Sequence, residues 1–296
     1  MLTHVQEHSM ALTFNHQTNE ISNDGVITVG GVAVGGDNTP YWYGNTAVFA
    51  GGSSGATKYN VMQSVTISTT GNATDFGDLT VARERLAGCS NGDRGTYGGG
   101  LGGSATNTID YITFATSGNA IDFGDLTVAR YGLSSCSDGS RGLFFGGLTS
   151  AVNNTIDYIT IATTGNAIDF GDLDITNAGG YFPASCSDST RGVIAGGLNF
   201  EFQKRNEIKY VTIQTLGDTT DFGDLLSSTS DMGGCSDRTR GIFAGGTAAS
   251  GQNVIQYITI QTTSNSTDFG DLTAVRPRAT AISNATRAVI GGAALS

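Results

Sequence analysis

Residues 132–173 read GLSSCSDGSRGLFFGGLTSAVNNTIDYITIATTGNAIDFGDL. Four short runs stand out: GLSSCS, RGLFFGG, TIDYITIAT and NAIDFGDL. They are rich in Ile, Leu, Phe, Tyr and Thr, residues that suit a packed, pleated surface. SDGS follows the first run and TGN the third, both built from turn formers. The pattern recurs along the chain. DFGDL begins at Asp75, Asp122, Asp169, Asp221 and Asp268, at intervals of 47, 47, 52 and 47 residues. Arg-Gly, three mostly apolar residues and Gly-Gly begin at Arg94, Arg141, Arg191 and Arg240. This string degrades to Arg-Ala at Arg287, and TAVFAGG from Thr46 reads as an earlier copy. Between the two strings lie TIDYITFAT, TIDYITIAT, EIKYVTIQT and VIQYITIQT, from Thr108, Thr155, Glu207 and Val254.

Four strands in about 48 residues is the size of one propeller blade. A blade is covered on both faces by its neighbours, which accounts for near-continuous apolar runs such as GLFFGG. The fold expected is all-β: a β-propeller of six four-stranded blades. Six Gly-Gly strands stand against five DFGDL strands, so residues around ALTFNHQTNEIS are expected to close the ring. The domain reading is a tail and closing strand over 1–24 and a single propeller over 25–296. Composition agrees, with 44 glycines, 3 prolines and only 14% charged residues. Three lysines and five glutamates leave too little of the usual helix-forming surface for long helices.

The net charge of −11 and a pI near 4.5 disfavour a phosphate backbone as partner, and no Lys/Arg run could track one. No apolar stretch reaches membrane-spanning length, and MLTHVQEHSM lacks the form of a signal peptide. The expectations are no nucleic acid, no membrane insertion and synthesis in a cytoplasm.

Most candidate chemistry has a structural reading beside it. The histidines, His4, His8 and His16, all precede the repeats, so neither a Ser-His-Asp triad nor a histidine zinc site is expected within them. Cys89, Cys136, Cys186 and Cys235 recur at one position of consecutive units, too far apart for a disulfide, so free, packed thiols are expected. DFG in five copies is not a kinase motif, and GGGLGG at Gly98–Gly103 is followed by no helix that would receive a phosphate. The carboxylates of each DFGDL, such as Asp122 and Asp125, read as turn caps with Arg141 and its equivalents as charge partners. Calcium in the D-x-x-D turn is the alternative to a chain with no cofactor and no metal.

The order of elements resembles kelch repeats. Gly146-Gly147 matches the kelch diglycine, Tyr158 the kelch tyrosine and Arg130 the arginine that opens the next repeat, while Phe170 stands where tryptophan is usual. The resemblance covers residues 40–296. Copper-bearing enzymes of kelch type hold their metal with histidines, which this region lacks. The DFGDL and TTGNA phrasing also resembles repeats in virion proteins of tailed, especially marine, bacteriophages. That resemblance implies a non-enzymatic virion structural protein: a tail, fibre-associated or head-decorating propeller, oligomeric within an assembly. Its partners would be other virion proteins, or a host-surface glycan or receptor. The alternatives are a cellular kelch-like interaction module and a glycan-acting propeller enzyme.

Differences between copies point to the binding face. The connections after Gly-Gly and after DFGDL vary strongly, as LNFEFQKRNEIK from Leu198 and LDITNAGGYFPAS from Leu173 show. In an up-and-down blade both connections fall on one face, with the uniform SDGS and TGN turns on the other. Variable loops on a constant frame are where recognition residues collect. The binding residues expected there are Arg85, Tyr131, Tyr181, Phe182, Phe200, Phe202, Lys204 and Arg205. Tyr41, Trp42 and Tyr43 form a second candidate contact, for assembly, on the uniform face.

Overall fold

The computed structural model describes residues 44–54, 56–176 and 178–292, together with the backbone of four short strands nearer the N-terminus. The chain divides into two units, Met1–Trp42 and Tyr43–Ser296. In the first, β1 (Asn15–His16), β2 (Asn19–Ile21), β3 (Ile27–Val29) and β4 (Val32–Val34) form one antiparallel sheet in chain order.

The second unit is a β-propeller. Its first blade has three strands, β5 (Thr46–Ala50), β8 (Val61–Thr66) and β9 (Thr74–Asp78), with a small hairpin of β6 (Ser53–Ser54) and β7 (Thr57–Lys58) after β5. Four complete blades follow. They are β10 (Ala87–Ser90), β11 (Arg94–Gly98), β12 (Thr108–Thr113) and β13 (Ile121–Asp125); then β14 (Ser134–Ser137), β15 (Arg141–Phe145), β16 (Thr155–Thr160) and β17 (Ile168–Asp172). Next come β18 (Ala184–Ser187), β19 (Arg191–Ala195), β20 (Glu207–Thr212) and β21 (Thr220–Asp224); then β22 (Gly233–Ser236), β23 (Arg240–Ala244), β24 (Val254–Thr259) and β25 (Thr267–Asp271). A hairpin of β26 (Ala279–Ser283) and β27 (Ala288–Gly292) ends the array. Strands of a blade are called A to D from the axis outward.

The described residues therefore build five blades, and the six expected are corrected. Gly-Gly marks strand B, and the array both opens and closes on a B strand. The sixth Gly-Gly belongs to the hairpin, which among the described residues has no strands C and D.

Each blade meets the next through its own hydrophobic core. Ile109, Phe123 and Leu126 of the second blade pack with Leu133, Phe144, Ile159 and Ile161 at the third. Equivalent sets fill the first-to-second, third-to-fourth and fourth-to-fifth junctions. Full burial of a side chain such as Phe144 contributes about 1.5–3 kcal/mol. Near the axis the A strands are laced by serines: Ser137 Oγ donates to the Ser90 carbonyl (2.6 Å) and Ser187 Oγ to the Ser137 carbonyl (2.7 Å). All four cysteines are free, and three are buried. Burial pushes the Cys89 thiol up to about 12 and that of Cys235 to about 11.

DFGDL and TGN form one device spread over two blades. Strand D is the outer edge of its sheet, and an open edge invites foreign strands. The TGN turn of the following blade covers it. Gly165 N donates to the Phe123 carbonyl (2.8 Å), Ala167 N to the Asp125 carbonyl (2.8 Å), and Asn166 Oδ1 accepts from Asp125 N (3.1 Å). The turn comes so close that a Cβ on Gly124 would lie 2.5 Å from the Gly165 oxygen, and Gly124 sits at φ +145°. Glycine is the residue that meets both demands.

The repeated arginines do not pair with the DFGDL aspartates, which corrects the expectation for Arg141. Its guanidinium lies 4.7 Å from the Tyr158 ring centre and donates to the Ile213 carbonyl of the next blade (3.2 Å). Arg94, Arg191 and Arg240 stack alike on Tyr111, Tyr210 and Tyr257. The buried ion pairs are others: Arg83 with Asp110 (3.1 Å) and Arg130 with Asp157 (3.0 Å), all four side chains fully enclosed. Asp157 also accepts from Thr127, from its amide (3.0 Å) and its hydroxyl (2.6 Å), which fixes the start of the connection between blades.

Candidate recognition face

Alternation of strand direction puts the B–C and D–A connections on one face, and short bridges join them. Tyr181 pairs with Leu198, and Leu198 with Lys204; Tyr131 pairs with Leu148 in the blade before. The diglycine after strand B makes this possible. Gly146 (φ +61°) and Gly147 (φ +106°) turn the chain over the face, where Gly147 N donates to the Gly180 carbonyl (2.6 Å).

One residue of each D–A connection, just before strand A, is left-handed: Arg85 (φ 57°), Gly132 (68°), Phe182 (55°), Asp231 (61°) and Arg278 (63°). Their backbones are linked from blade to blade. Gly132 N donates to the Arg85 carbonyl (2.8 Å), Phe182 N to that of Gly132 (2.8 Å) and Asp231 N to that of Phe182 (3.0 Å). Four of the five are not glycine, and each such residue stores roughly 1–3 kcal/mol of backbone strain. The hydrogen bonds from blade to blade hold these strained backbones in place.

Arg85 sits at the centre of the resulting cluster. Its Nη1 donates to the Tyr181 hydroxyl (3.1 Å), and its guanidinium carbon is 5.7 Å from the Tyr131 ring centre and 5.4 Å from that of Phe182. Tyr181 stacks on Phe182 (4.0 Å between centroids) and meets Tyr131 (5.8 Å) and Phe202 (6.4 Å) edge to face. Burial raises the Tyr181 phenol to about 12, so it remains protonated across physiological pH. Burial also raises the Asp231 carboxyl, against the hydrogen bond from Ser230 and the pull of Arg278, Arg85 and Lys204. Glu84 is held low, first by the Ser53 hydroxyl (2.5 Å), with Arg85 and Lys58 close by. A chain of net charge −11 thus sets Arg85 and Arg278 beside Asp231 on this face.

Of the residues expected in the site, the fold brings Arg85, Tyr131, Tyr181, Phe182 and Phe202 into one cluster. Lys204 is drawn sideways, its Nζ donating to the Ala248 carbonyl of the next blade. Arg205 is clamped by Glu207, the first residue of β20. Phe200 is 50% exposed at the tip of a loop shaped by Asn199, whose Oδ1 accepts from the amides of Glu201 (3.1 Å) and Gln203 (2.9 Å). Tyr41, Trp42, Tyr43, His4 and His8 lie outside the described residues. Glu84, Asp231 and Arg278 belong to the face and were not expected there. Aligning the repeats on Cys136 and its equivalents would have found the last two, since they occupy the register position of Arg85.

No known family model matches the chain, and no characterised protein is similar to it in sequence.

Proposed function

We propose that the protein is a non-catalytic recognition and assembly propeller that engages its partner with the face of the B–C and D–A connections. The observation that carries this reading is the Arg85–Tyr131–Tyr181–Phe182–Phe202 cluster. Arginine and aromatic rings, pre-set by strained backbone and part-exposed at Phe202 (53%), have the composition of a binding hot spot. The opposite face has nearly uniform turns, and Asn119, Asn166 and Asn265 there are used up in joining blades. The setting we propose is the virion of a tailed phage, for which the repeat phrasing is the support, with another virion protein or a host-surface glycan as partner.

Cross-linking within purified particles tests both halves of the reading. Links from residues 181–182 and 200–205 to a second protein are expected. Links from the TGN and SDGS turns alone would reverse the assignment of the face, and absence of the protein from particles would remove the virion setting. Arg85→Ala is expected to weaken partner binding about tenfold or more while leaving the blade cores intact.

A further inference from the structure

The device that covers each DFGDL edge occurs at four junctions and is left in two separate halves at the ends of the array. Phe76, Phe123, Phe170 and Phe222, in strands covered by the next blade's turn, are 3–5% exposed. Phe269, their equivalent in β25, is 54% exposed. A Cβ on Gly270 would meet nothing within 4 Å, whereas on Gly77 it would lie 2.3 Å from the Gly118 oxygen. The edge of β25 is thus bare among the described residues. Its hydrogen-bonding row and a large apolar ring both face outward, which natural sheets avoid.

The other half lies in the first blade. Its turn, Thr69–Ala73, carries the same Thr-Thr-Gly-Asn-Ala as residues 163–167. Ala120, Ala167 and Ser266, which follow the docked turns, are 8–9% exposed and so buried, while Ala73 is exposed. A third pair of halves agrees. Arg94, Arg141 and Arg191 donate to carbonyls at the end of strand C in the following blade. Arg240 has no following strand C among the described residues and is exposed, although it keeps its stack on Tyr257. Among the described residues the hairpin stands between the two halves: β26 packs on β22 where a next blade would begin, Asn284 Nδ2 donates to Asn45 Oδ1 at the start of the first blade (2.8 Å), and the hairpin supplies inner strands only.

The geometry points to a second copy of this chain as the occupant: the Thr69–Ala73 turn of one copy caps β25 of another. Asn72 Oδ1 would accept from Asp271 N, Gly71 N would donate to the Phe269 carbonyl, and Arg240 would reach the end of the partner's β8. The contact uses different surfaces on the two copies. It is therefore heterologous, and it makes a ring if its rotation closes and a filament if it does not. Neither half of this contact uses Arg85, Tyr131, Tyr181, Phe182 or Phe202.

The test is sedimentation of the full chain from micromolar to millimolar concentration, with two variants at exposed positions. Phe269→Ser spoils the edge and Ala73→Arg spoils the turn; both residues are exposed, with Phe269 in edge-to-face contact with Tyr257 (6.1 Å between centroids). The wild type is expected to associate with rising concentration. Each variant alone should associate about tenfold more weakly or worse while remaining folded, and only Phe269→Ser should lower the melting temperature slightly, by loss of its contact with Tyr257. Mixed together, the variants should form one-to-one dimers and stop there, since one intact half remains on each. A wild type that stays monomeric throughout, association indifferent to both variants, or β25 amides protected from hydrogen exchange in a monomer would each overturn the proposal. The last outcome would mean that the chain covers its own edge.

Discussion

The connections leading into the second and third blades are pinned from beneath by Arg83–Asp110 and Arg130–Asp157. Those leading into the fourth and fifth are not. There the arginine position holds Gly180 and Thr229, and the aspartate position holds Lys209 and Gln256. Lys209 turns outward to Asp221 across the strand pair (3.2 Å). Gln256 stays inside and takes over the aspartate's task, accepting from Leu226 N (2.9 Å) and the Ser266 hydroxyl (2.8 Å). Both members of the ion pair change together in both blades. A buried charge without its partner costs several kcal/mol, so loss of one removes the reason for the other. The released connections are also the ones that carry the insertion around Gly179 and supply Tyr181, Phe182 and Asp231. Where the internal clamp is absent, the connection supplies aromatic and acidic residues to the proposed recognition face.

That contrast can be broken at its strongest point by Asp157→Ala. The substitution strands the enclosed Arg130 and frees Thr127, and should cost about 3–5 kcal/mol, read as a lowered denaturation midpoint. A cost under 1 kcal/mol would mean that solvent reaches the pair. Gln256→Ala should cost less, about 1–3 kcal/mol, because two donors lose an acceptor but no charge is stranded. Copying the fifth blade into the third, with Arg130→Thr and Asp157→Gln together, should bring stability back to within about 1 kcal/mol of wild type. If the double variant is as unstable as Asp157→Ala, the two kinds of blade are not interchangeable and the comparison fails. The smallest effect concerns pH. Burial raises the Asp231 carboxyl above its unfolded value, so the folded state favours its protonated form. The associated stability is fully present below the unfolded pKa and is lost as pH rises through the folded one. Relative to Asp231→Asn, the wild type should therefore gain melting temperature on acidification. A flat difference between the two would place Asp231 in solvent.

Some features of this propeller were legible because they recur at a fixed interval and answer to local chemistry. The four-strand unit, the Gly-Gly turns, the free cysteines at one register position and the face carrying variable connections all belong to that class. Misreadings came where residues act across a junction. Arg141 and the DFGDL aspartates recur in step, and charge alone suggested that they pair. The arginine's partners are a tyrosine on its own sheet and a carbonyl one blade further on, neither of which repeat spacing can indicate. The glycine of DFGDL looks like a strand defect until the neighbouring turn is seen pressing on it.

Periodicity in one chain determines what each blade is made of, because strand formation and burial depend on side chains within a few residues. How many blades the chain completes, which guanidinium finds which carboxylate, and that Arg85 reaches Tyr181 from 96 positions away were decided only in three dimensions. Blades meet side by side around an axis, and that places together residues whose separation along the chain carries no information about their distance in space.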